Sequence, residues 1–310
     1  MPNPSGYAVH TPYSDPGRHA GLLRALPGTA ADLCAAARNV IAHYRAELPD
    51  LPEERRHEID SRWLEVILSV DQDRHGAPLT APRALADRVA GCCRDHTLFV
   101  VGGLREHGVP ARSRVGFASY FTPGYHHDHV IVEYLDGGRW RRTDPELAPG
   151  RADFDPGDLA AGPDASFQTA AEVWQGYRAG ALDPETYGVF PGSEFGGPMF
   201  IQAEVVYEVA HRFGDELLLW DDWGATADGG SEEMIDRLAD LLVRADAGDS
   251  GAEEELYAWY RADDRLHPGD SVISNSPYGY PPRQVPLRRT SSSSAAARRS
   301  VRVAGGTVGD

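Results

Sequence analysis

The segment between residues 91 and 145 constrains the fold of this chain most, because it predicts one helix followed by an antiparallel hairpin. The helix begins near Cys93 and ends before Gly108, a glycine of the kind that closes helices. Three strand candidates follow, at Arg112–Tyr120, His129–Leu135 and Arg139–Thr143. Asp136-Gly137-Gly138 joins the last two strands by a turn typical of hairpins. We therefore expect an antiparallel sheet packed on the Cys93 helix.

Amphipathic patterns predict further helices on both sides of this segment. Two precede it, at Thr29–Glu47 and Pro52–Ser69, and the first has Thr29 as its N-cap. The later helices are predicted at Thr169–Ala179, Ile201–Arg212, Glu232–Arg244 and Ala252–Ala262. These patterns predict an α+β fold with a helical C-terminal region.

Changes in composition divide the chain into four predicted segments. Residues 1–28 are rich in Pro and Gly and are predicted to be irregular, and residues 29–150 form the core. Residues 151–282 are predicted to be mainly helical. Residues 283–310 are rich in Ser, Ala and Arg with little to bury, so we predict a disordered tail.

The charge and the N-terminus indicate the surroundings in which the chain works. The formal net charge of -17 disfavours nucleic acid and anionic membranes as partners, because phosphate groups repel such a surface. No apolar run is long enough to span a bilayer, and the N-terminus lacks the pattern of a signal peptide. We therefore expect a cytoplasmic protein. The oligomeric state is not indicated by the sequence.

The chain has three cysteines, Cys34, Cys92 and Cys93. An odd number without a signal peptide argues against a disulfide framework, and three thiols are too few for a cysteine-rich zinc site. We expect Cys92 to pack away from Cys93, and Asp95 to cap the helix that begins there.

Cys93, His129 and Asp144 together predict nucleophilic chemistry. The helix N-terminus is expected to stabilise a Cys93 thiolate and so lower the pKa of the thiol. His129 would act as the base for the thiol, and Asp144 would orient His129 and stabilise its imidazolium. The hairpin brings the last two together, because His129 opens one strand and Asp144 follows its antiparallel neighbour.

At this point the chain resembles the transglutaminase-like superfamily of papain-fold thiol enzymes. Four short motifs carry the resemblance over about residues 30–147. They are Gly91-x-Cys93-x-Asp95, Gly108-Val109-Pro110-Ala111-Arg112, His129-Val130-Ile131-Val132-Glu133 and Trp140-Arg141-Arg142-Thr143-Asp144-Pro145. The resemblance implies a papain-like transglutaminase core with Cys93 as nucleophile, His129 as base and Asp144 as orienting acid. For the upstream oxyanion donor we considered Gln72.

The implied reaction is acyl transfer through a Cys93 thioester, with a peptide or other amide as substrate and with no cofactor. Water as acceptor gives a peptidase or amidase, and an amine gives transglutaminase-type amide exchange. The alternative is a non-enzymatic binding module that retains the fold. A third hypothesis is a metal-dependent hydrolase using His126, His127 and His129, but a third ligand beside two strand-borne histidines is not evident, so no metal is predicted.

The remaining polar residues near these motifs are given structural roles. We interpret His126 and His127 as loop residues near the cleft, and His96 as a helix-surface residue. Arg112 and Arg114 alternate along a strand and are expected to pair with acids.

Overall fold

One helix and one antiparallel sheet lie at the centre of the fold in this computed structural model, which describes residues 4–288. The described residues form nine α-helices in chain order. They are α1 Ala20–Arg24, α2 Ala30–Val40, α3 Leu64–His75, α4 Cys93–Glu106, α5 Ala170–Arg178, α6 Gly197–Arg212, α7 Gly224–Asp228, α8 Glu232–Asp246 and α9 Ser250–Ala262. None of them is long and apolar enough to cross a membrane.

The strands of the described residues form three separate sheets. They are β1 Ile41–His43, β2 Val89–Gly91, β3 Ala111–Thr122, β4 Tyr125–Asp136, β5 Arg139–Thr143, β6 Phe167–Thr169, β7 Tyr187–Gly188, β8 Asp221–Asp222, β9 Ser271–Ser274 and β10 Arg283–Pro286. The largest sheet has five strands in the order β5-β4-β3-β6, with the short β7 parallel to β4. Its long strands are antiparallel, as the sequence predicts.

The helix α4 packs on the largest sheet through the main hydrophobic core. Phe99, Val100 and Val101 of α4 are buried there with Val115 of β3 and Val130 of β4. Helix α6 lies against β3 and also contributes to this core, through Val205 and its neighbours. The fold is therefore α+β, with an antiparallel sheet packed on the helix that begins at Cys93 and with a mainly helical C-terminal region. The four segment boundaries stay predictions.

The two helices predicted before residue 91 are shorter than expected. The first ends at Val40, because Ile41 enters β1 and pairs in parallel with Val89 of β2. The predicted helix Pro52–Ser69 is wrong: a 3-10 helix, Glu53–Asp60, precedes α3. At this break the buried guanidinium of Arg94 donates hydrogen bonds to the main-chain oxygens of Ser61 and Arg62.

The strand that carries His129 begins earlier than predicted. β4 starts at Tyr125, so His129 lies inside the strand and not at its head. The interpretation of His126 and His127 as loop residues is wrong, because both pair with β7 and His127 also pairs with β3. Partners on two sides hold this polar stretch in the sheet, although its sequence lacks the apolar character of a strand.

The two ends of the described chain are more ordered than predicted. The N-terminal segment includes α1, and it buries Tyr13 and Leu23 in the main core. The predicted disordered tail begins within a strand, since Arg283–Pro286 pairs with β9 and buries Val285. The rest of that predicted tail, residues 289–310, lies outside the described residues.

A buried group of arginine and acidic side chains joins the sheet to the C-terminal helices. Arg114 of β3 is fully buried and donates to Glu133 of β4 at 3.0 Å and to Glu208 of α6 at 2.7 Å. It also pairs with Asp246 at the end of α8. Arg112 pairs with Glu133 at 2.6 Å, so both arginines have acidic partners as predicted. Burial raises the pKa of Glu133 and Asp246, but the nearby arginines outweigh it and leave both pKa values lowered.

Replacing Arg114 with leucine is expected to destabilise the protein by about 3–5 kcal/mol, because three acids lose a buried partner. The free energy of unfolding is measured by urea denaturation at neutral pH. Because the pKa values of Glu133 and Asp246 are lowered, their stabilising contribution is full above about pH 4 and is lost on acidification. The decrease in the free energy of unfolding on acidification should therefore be smaller in the Arg114→Leu variant.

The matched control is Arg139→Leu, which removes an arginine whose side chain is 56% exposed beside Asp158. Solvent screens that pair, so the urea midpoint should change little. Equal midpoint shifts for the two variants would contradict a special role of the buried group.

Candidate active site

Cys93 is the first residue of α4. It follows Cys92, which is the N-cap residue of this helix and comes directly after the strand β2. The helix begins here because the Asp95 carboxylate accepts a hydrogen bond from the Cys92 backbone N–H at 2.9 Å. Asp95 therefore caps the helix, as predicted. In turn, Asp95 is held by Arg94, whose guanidinium lies 2.9 Å away.

The two adjacent cysteines belong to different hydrophobic clusters. Cys93 is part of the main core, together with Ile41 of β1 and Val89 of β2. Cys92 belongs to a smaller cluster that includes Tyr44 and Ala90. Alternation along the strands explains this division, because successive residues point to opposite faces. The two cysteines thus pack in different hydrophobic clusters, although their side chains still interact with each other.

His129 and Asp144 are joined by a hydrogen bond of 2.9 Å between Nε2 and Oδ2. β5 pairs with β4 so that Thr143 lies opposite Val132, which places Asp144 just beyond the pairing and within reach of the imidazole. Both side chains are buried, at 2% exposure for His129 and 1% for Asp144. The structure thus brings together two of the three predicted site residues.

The Asp144 carboxylate has two further kinds of partner that the sequence analysis missed. The Tyr120 hydroxyl donates to Oδ2 at 2.6 Å, and Oδ1 accepts from the backbone N–H groups of Glu146 and Leu147 at 2.8 and 3.3 Å. Tyr120 lies at the end of β3, and its position in the sequence gives no signal of this role. Four donors therefore hold the carboxylate in one orientation.

The charges of this pair support each other in the folded protein. Burial lowers the pKa of His129, but the Asp144 carboxylate outweighs burial and leaves the pKa raised above its ordinary value. Burial raises the pKa of Asp144, but His129, Tyr120 and the Glu146 backbone outweigh it and leave that pKa lowered. Asp144 is therefore ionised at neutral pH, and the protonated form of His129 is stabilised.

The start of α4 lies beside the part of β4 that carries His129. One turn beyond Cys93, the Thr97 hydroxyl donates to the carbonyl oxygen of Val130 at 2.8 Å. Within residues 4–288, however, no hydrogen bond joins the Cys93 thiol to the His129 ring. Catalytic hydrogen bonds are often long without substrate and tighten when it binds.

The expected low pKa of the Cys93 thiol is wrong. A hydrogen bond with the Cys92 side chain, burial, and the neighbouring acids Glu146 and Asp128 raise the pKa of Cys93 well above its ordinary value. The helix N-terminus favours a thiolate, but it acts here on a thiol that is 7% exposed. Cys93 is therefore a protonated thiol at neutral pH in this structure.

The neighbouring histidines of β4 have structural partners. His126 stacks on Tyr187 with ring centres 4.2 Å apart, and the His127 ring contacts the Thr122 hydroxyl and the Val189 carbonyl, each at 2.9 Å. The described residues contain no group of three or more side chains that could hold a metal ion.

Two other sequence interpretations are corrected by the structure. His96 is not on the helix surface: it is 1% exposed, and its ring contacts the main-chain oxygens of Cys92 and Ile41. Gln72 is not aimed at the thiol, because its amide donates to Asp71 and to the Ala77 carbonyl at the end of α3.

A comparison with family models finds a match over part of the chain. Residues 45–145 match the model of the transglutaminase-like superfamily, and this region contains Cys93, His129 and Asp144. Over residues 45–145 the chain is therefore similar to the transglutaminase-like superfamily. At the level of the superfamily, this match supports a thiol-dependent enzyme.

One solved structure and the curated proteins complete the comparison. The crystal structure of a candidate cysteine protease from Cytophaga hutchinsonii is similar, with 16% sequence identity and a TM-score of 0.31. The similarity covers 46% of this chain and 41% of that chain, so less than half of the other protein is represented. No curated protein matches the chain significantly.

Replacing Cys92 with alanine should make Cys93 more reactive, because it removes the largest cause of the raised thiol pKa. Only the thiolate reacts readily with iodoacetamide, so the rate of Cys93 alkylation reports its ionisation. In the wild type the rate should rise with pH through a midpoint above about 8.5, and in Cys92→Ala this midpoint should fall. Peptide mapping distinguishes Cys93 from the other thiols.

Cys34→Ala is the matched control, since Cys34 is buried near Thr143 and is not among the groups that act on Cys93. Its variant should keep the wild-type midpoint. If Cys92→Ala had the same midpoint as the wild type, Cys92 would be excluded as the cause of the raised Cys93 pKa.

Proposed function

We propose that the protein is a cysteine acyl-transfer enzyme that takes the acyl group of an amide and passes it, through a Cys93 thioester, to water or to an amine. The observation that carries this proposal is the buried hydrogen bond between His129 and Asp144 beside the helix that begins with Cys93. Asp144 binds Nε2 of the imidazole, so Nδ1 is the nitrogen that would serve the thiol. This is the arrangement of a base with an orienting acid.

The first step requires a base, because the Cys93 thiol is protonated at neutral pH. His129 accepts the thiol proton while the sulfur attacks the carbonyl carbon of the amide. A carbon–sulfur bond forms, and the π electrons of the carbonyl move to its oxygen. The imidazolium that results is stabilised by the Asp144 carboxylate, which stays ionised because its pKa is lowered.

The second step breaks the carbon–nitrogen bond. The oxyanion re-forms a carbonyl, the amine leaves with the proton from His129, and the thioester remains on Cys93. In the third step His129 takes a proton from water or from an acceptor amine, which attacks the thioester. The carbon–sulfur bond then breaks, and the thiolate regains a proton from the imidazolium.

The nature of the acceptor separates a hydrolase from an amide-forming enzyme. Both use the same three residues, so the distinction depends on how well the cleft excludes water. The chain contains no lysine, so lysine side chains of a second copy are not the acceptor. An amine acceptor would have to come from a different molecule or from an N-terminal amine.

The proposal predicts that p-nitrophenyl acetate acetylates Cys93 and that acetylation depends on His129. The reaction is followed by release of nitrophenolate and by mass spectrometry of the intact protein with peptide mapping. Cys93→Ala should give no adduct on the α4 peptide. His129→Ala should slow acetylation about 10²- to 10⁴-fold, the usual contribution of a positioned base.

His127→Ala is the matched control for His129→Ala, because His127 lies two residues away on the same strand but contacts Thr122 and Val189. It should keep most of the acetylation rate. Adding glycinamide to the acetylated enzyme then shows whether the acyl group passes to water or to an amine. A wild-type protein without a Cys93 adduct would contradict the proposal and favour the non-enzymatic binding module.

A further inference from the structure

Two consecutive aromatic side chains at the end of β3 contact the His129 ring. The ring centres of Tyr120 and Phe121 lie 6.1 and 5.0 Å from that of His129. In a regular strand, neighbouring residues point to opposite faces. Here the pairing of β3 with β4 is irregular, because residues 119–121 lie opposite His126 alone. This bulge explains how both rings reach the same imidazole.

The two rings have different surroundings. The Tyr120 hydroxyl donates to the Asp144 carboxylate at 2.6 Å, so this side chain is part of the hydrogen-bonded pair. Phe121 has no polar group, and its ring contacts are those with Tyr120, His127 and His129. It is also 43% exposed. Phe121 therefore presents an apolar surface to solvent directly beside the proposed base.

His127 joins the bulge to a second segment that carries exposed aromatic rings. Its own ring contacts the Thr122 hydroxyl and the Val189 carbonyl, each at 2.9 Å. The Val189 backbone N–H donates to the Phe195 carbonyl at 2.9 Å, which closes a loop after β7. This loop exposes Phe190 by 45% and Phe195 by 59%. The two segments are thus fixed to each other through one imidazole.

The exposed phenylalanines of residues 4–288 all lie on these two segments. A single exposed apolar side chain is ordinary in a protein, whereas several on neighbouring segments indicate a binding surface. Phe121 is the member of this group whose ring contacts His129. A ligand of this surface that also reaches the base must therefore pass Phe121.

The proposed reaction identifies the part of the substrate that lies beside His129. The imidazole gives its proton to the amine that leaves and takes a proton from the acceptor, so both come within hydrogen-bond distance of the ring. The group carried by that nitrogen then lies among the neighbours of the ring. Of the three aromatic rings in contact with His129 or its neighbour His127, Phe121 is the exposed one.

We propose that Phe121 is a specificity-determining residue, and that it binds an apolar or aromatic group on the leaving amine or on the acceptor amine. Such a contact removes apolar surface of both partners from water, and two aromatic rings also attract each other edge to face. A peptide with an apolar residue directly after the cleaved bond has an amine of this kind. This inference rests on the proposed function and names the substrate class of the same site.

Two esters that transfer the same acetyl group test the inference in the full chain. The leaving oxygen takes the place of the amide nitrogen: it carries an aromatic ring in p-nitrophenyl acetate and a small alkyl group in 2,2,2-trifluoroethyl acetate. The initial rate at which acetyl-enzyme and acetate form together is measured for each ester, and the rate of Cys93→Ala is subtracted. Dividing the rate of a variant by that of the wild type cancels the intrinsic reactivity of each ester.

Phe121→Ser should lower the rate with the aryl ester about tenfold and leave the rate with the alkyl ester within about twofold. Phe121→Tyr keeps the ring and should keep both rates. The matched control is Leu85→Ser, since Leu85 is 42% exposed but lies on the 3-10 helix Leu85–Asp87 before β2. It should change neither rate. Alkylation of Cys93 by iodoacetamide at pH about 9 should be equal in all four proteins, because it depends on the thiolate.

Three results would overturn the inference. An equal fall with both esters in Phe121→Ser would show that Phe121 acts on His129 or on the fold and not on the leaving group. Unchanged rates with both esters would exclude a contact with the leaving group. A selective fall with the aryl ester in Leu85→Ser would show that the effect is not specific to Phe121. A wild-type protein without a Cys93-dependent reaction with either ester would instead remove the proposed function itself.

Discussion

The hydrogen bonds to the Asp144 carboxylate hold the rest of the site in place. It is 1% exposed, and it accepts hydrogen bonds from His129, Tyr120 and two backbone N–H groups. A buried charge with so many donors stays ionised and does not turn. It therefore fixes the plane of the His129 ring and raises the pKa of that ring. In the proposed function it leaves Nδ1 for the thiol. Without the Asp144 carboxylate, no hydrogen bond would fix the orientation of the His129 ring.

At neutral pH the Cys93 side chain is a protonated thiol and not a thiolate. Cys92, burial and nearby acids raise the pKa of Cys93, so in the proposed function the thiol needs His129 as its base. This differs from a thiolate stabilised by the helix N-terminus alone, and it makes the base essential to the first step. In the proposed function, the N-terminus of α4 then acts on the oxyanion through the Cys93 N–H group.

The sequence predicted those parts of the site that depend on local patterns. Cys93 at a helix start, the Asp136-Gly137-Gly138 hairpin and the strand Arg139–Thr143 are encoded by neighbouring residues, and the structure has all of them. The break before α3 is not predicted from the sequence, and the main-chain oxygens there accept hydrogen bonds from Arg94, about 30 residues away. The raised pKa of Cys93 and the bond from Tyr120 to Asp144 were missed because burial and cross-strand contacts cannot be read from spacing.

The central claim is that Asp144 sets the tautomer of His129 so that Nδ1 is the base for Cys93. It is tested most directly by following His129 in the ¹⁵N-histidine-labelled protein by NMR across pH, with His129→Ala used to assign the signal. We expect a neutral ring with its proton on Nε2 and a titration midpoint of His129 above about 6.5, and this midpoint should fall in Asp144→Asn. A midpoint at or below 6.5 with the proton on Nδ1 would contradict it, because the ring would then offer Cys93 no basic nitrogen.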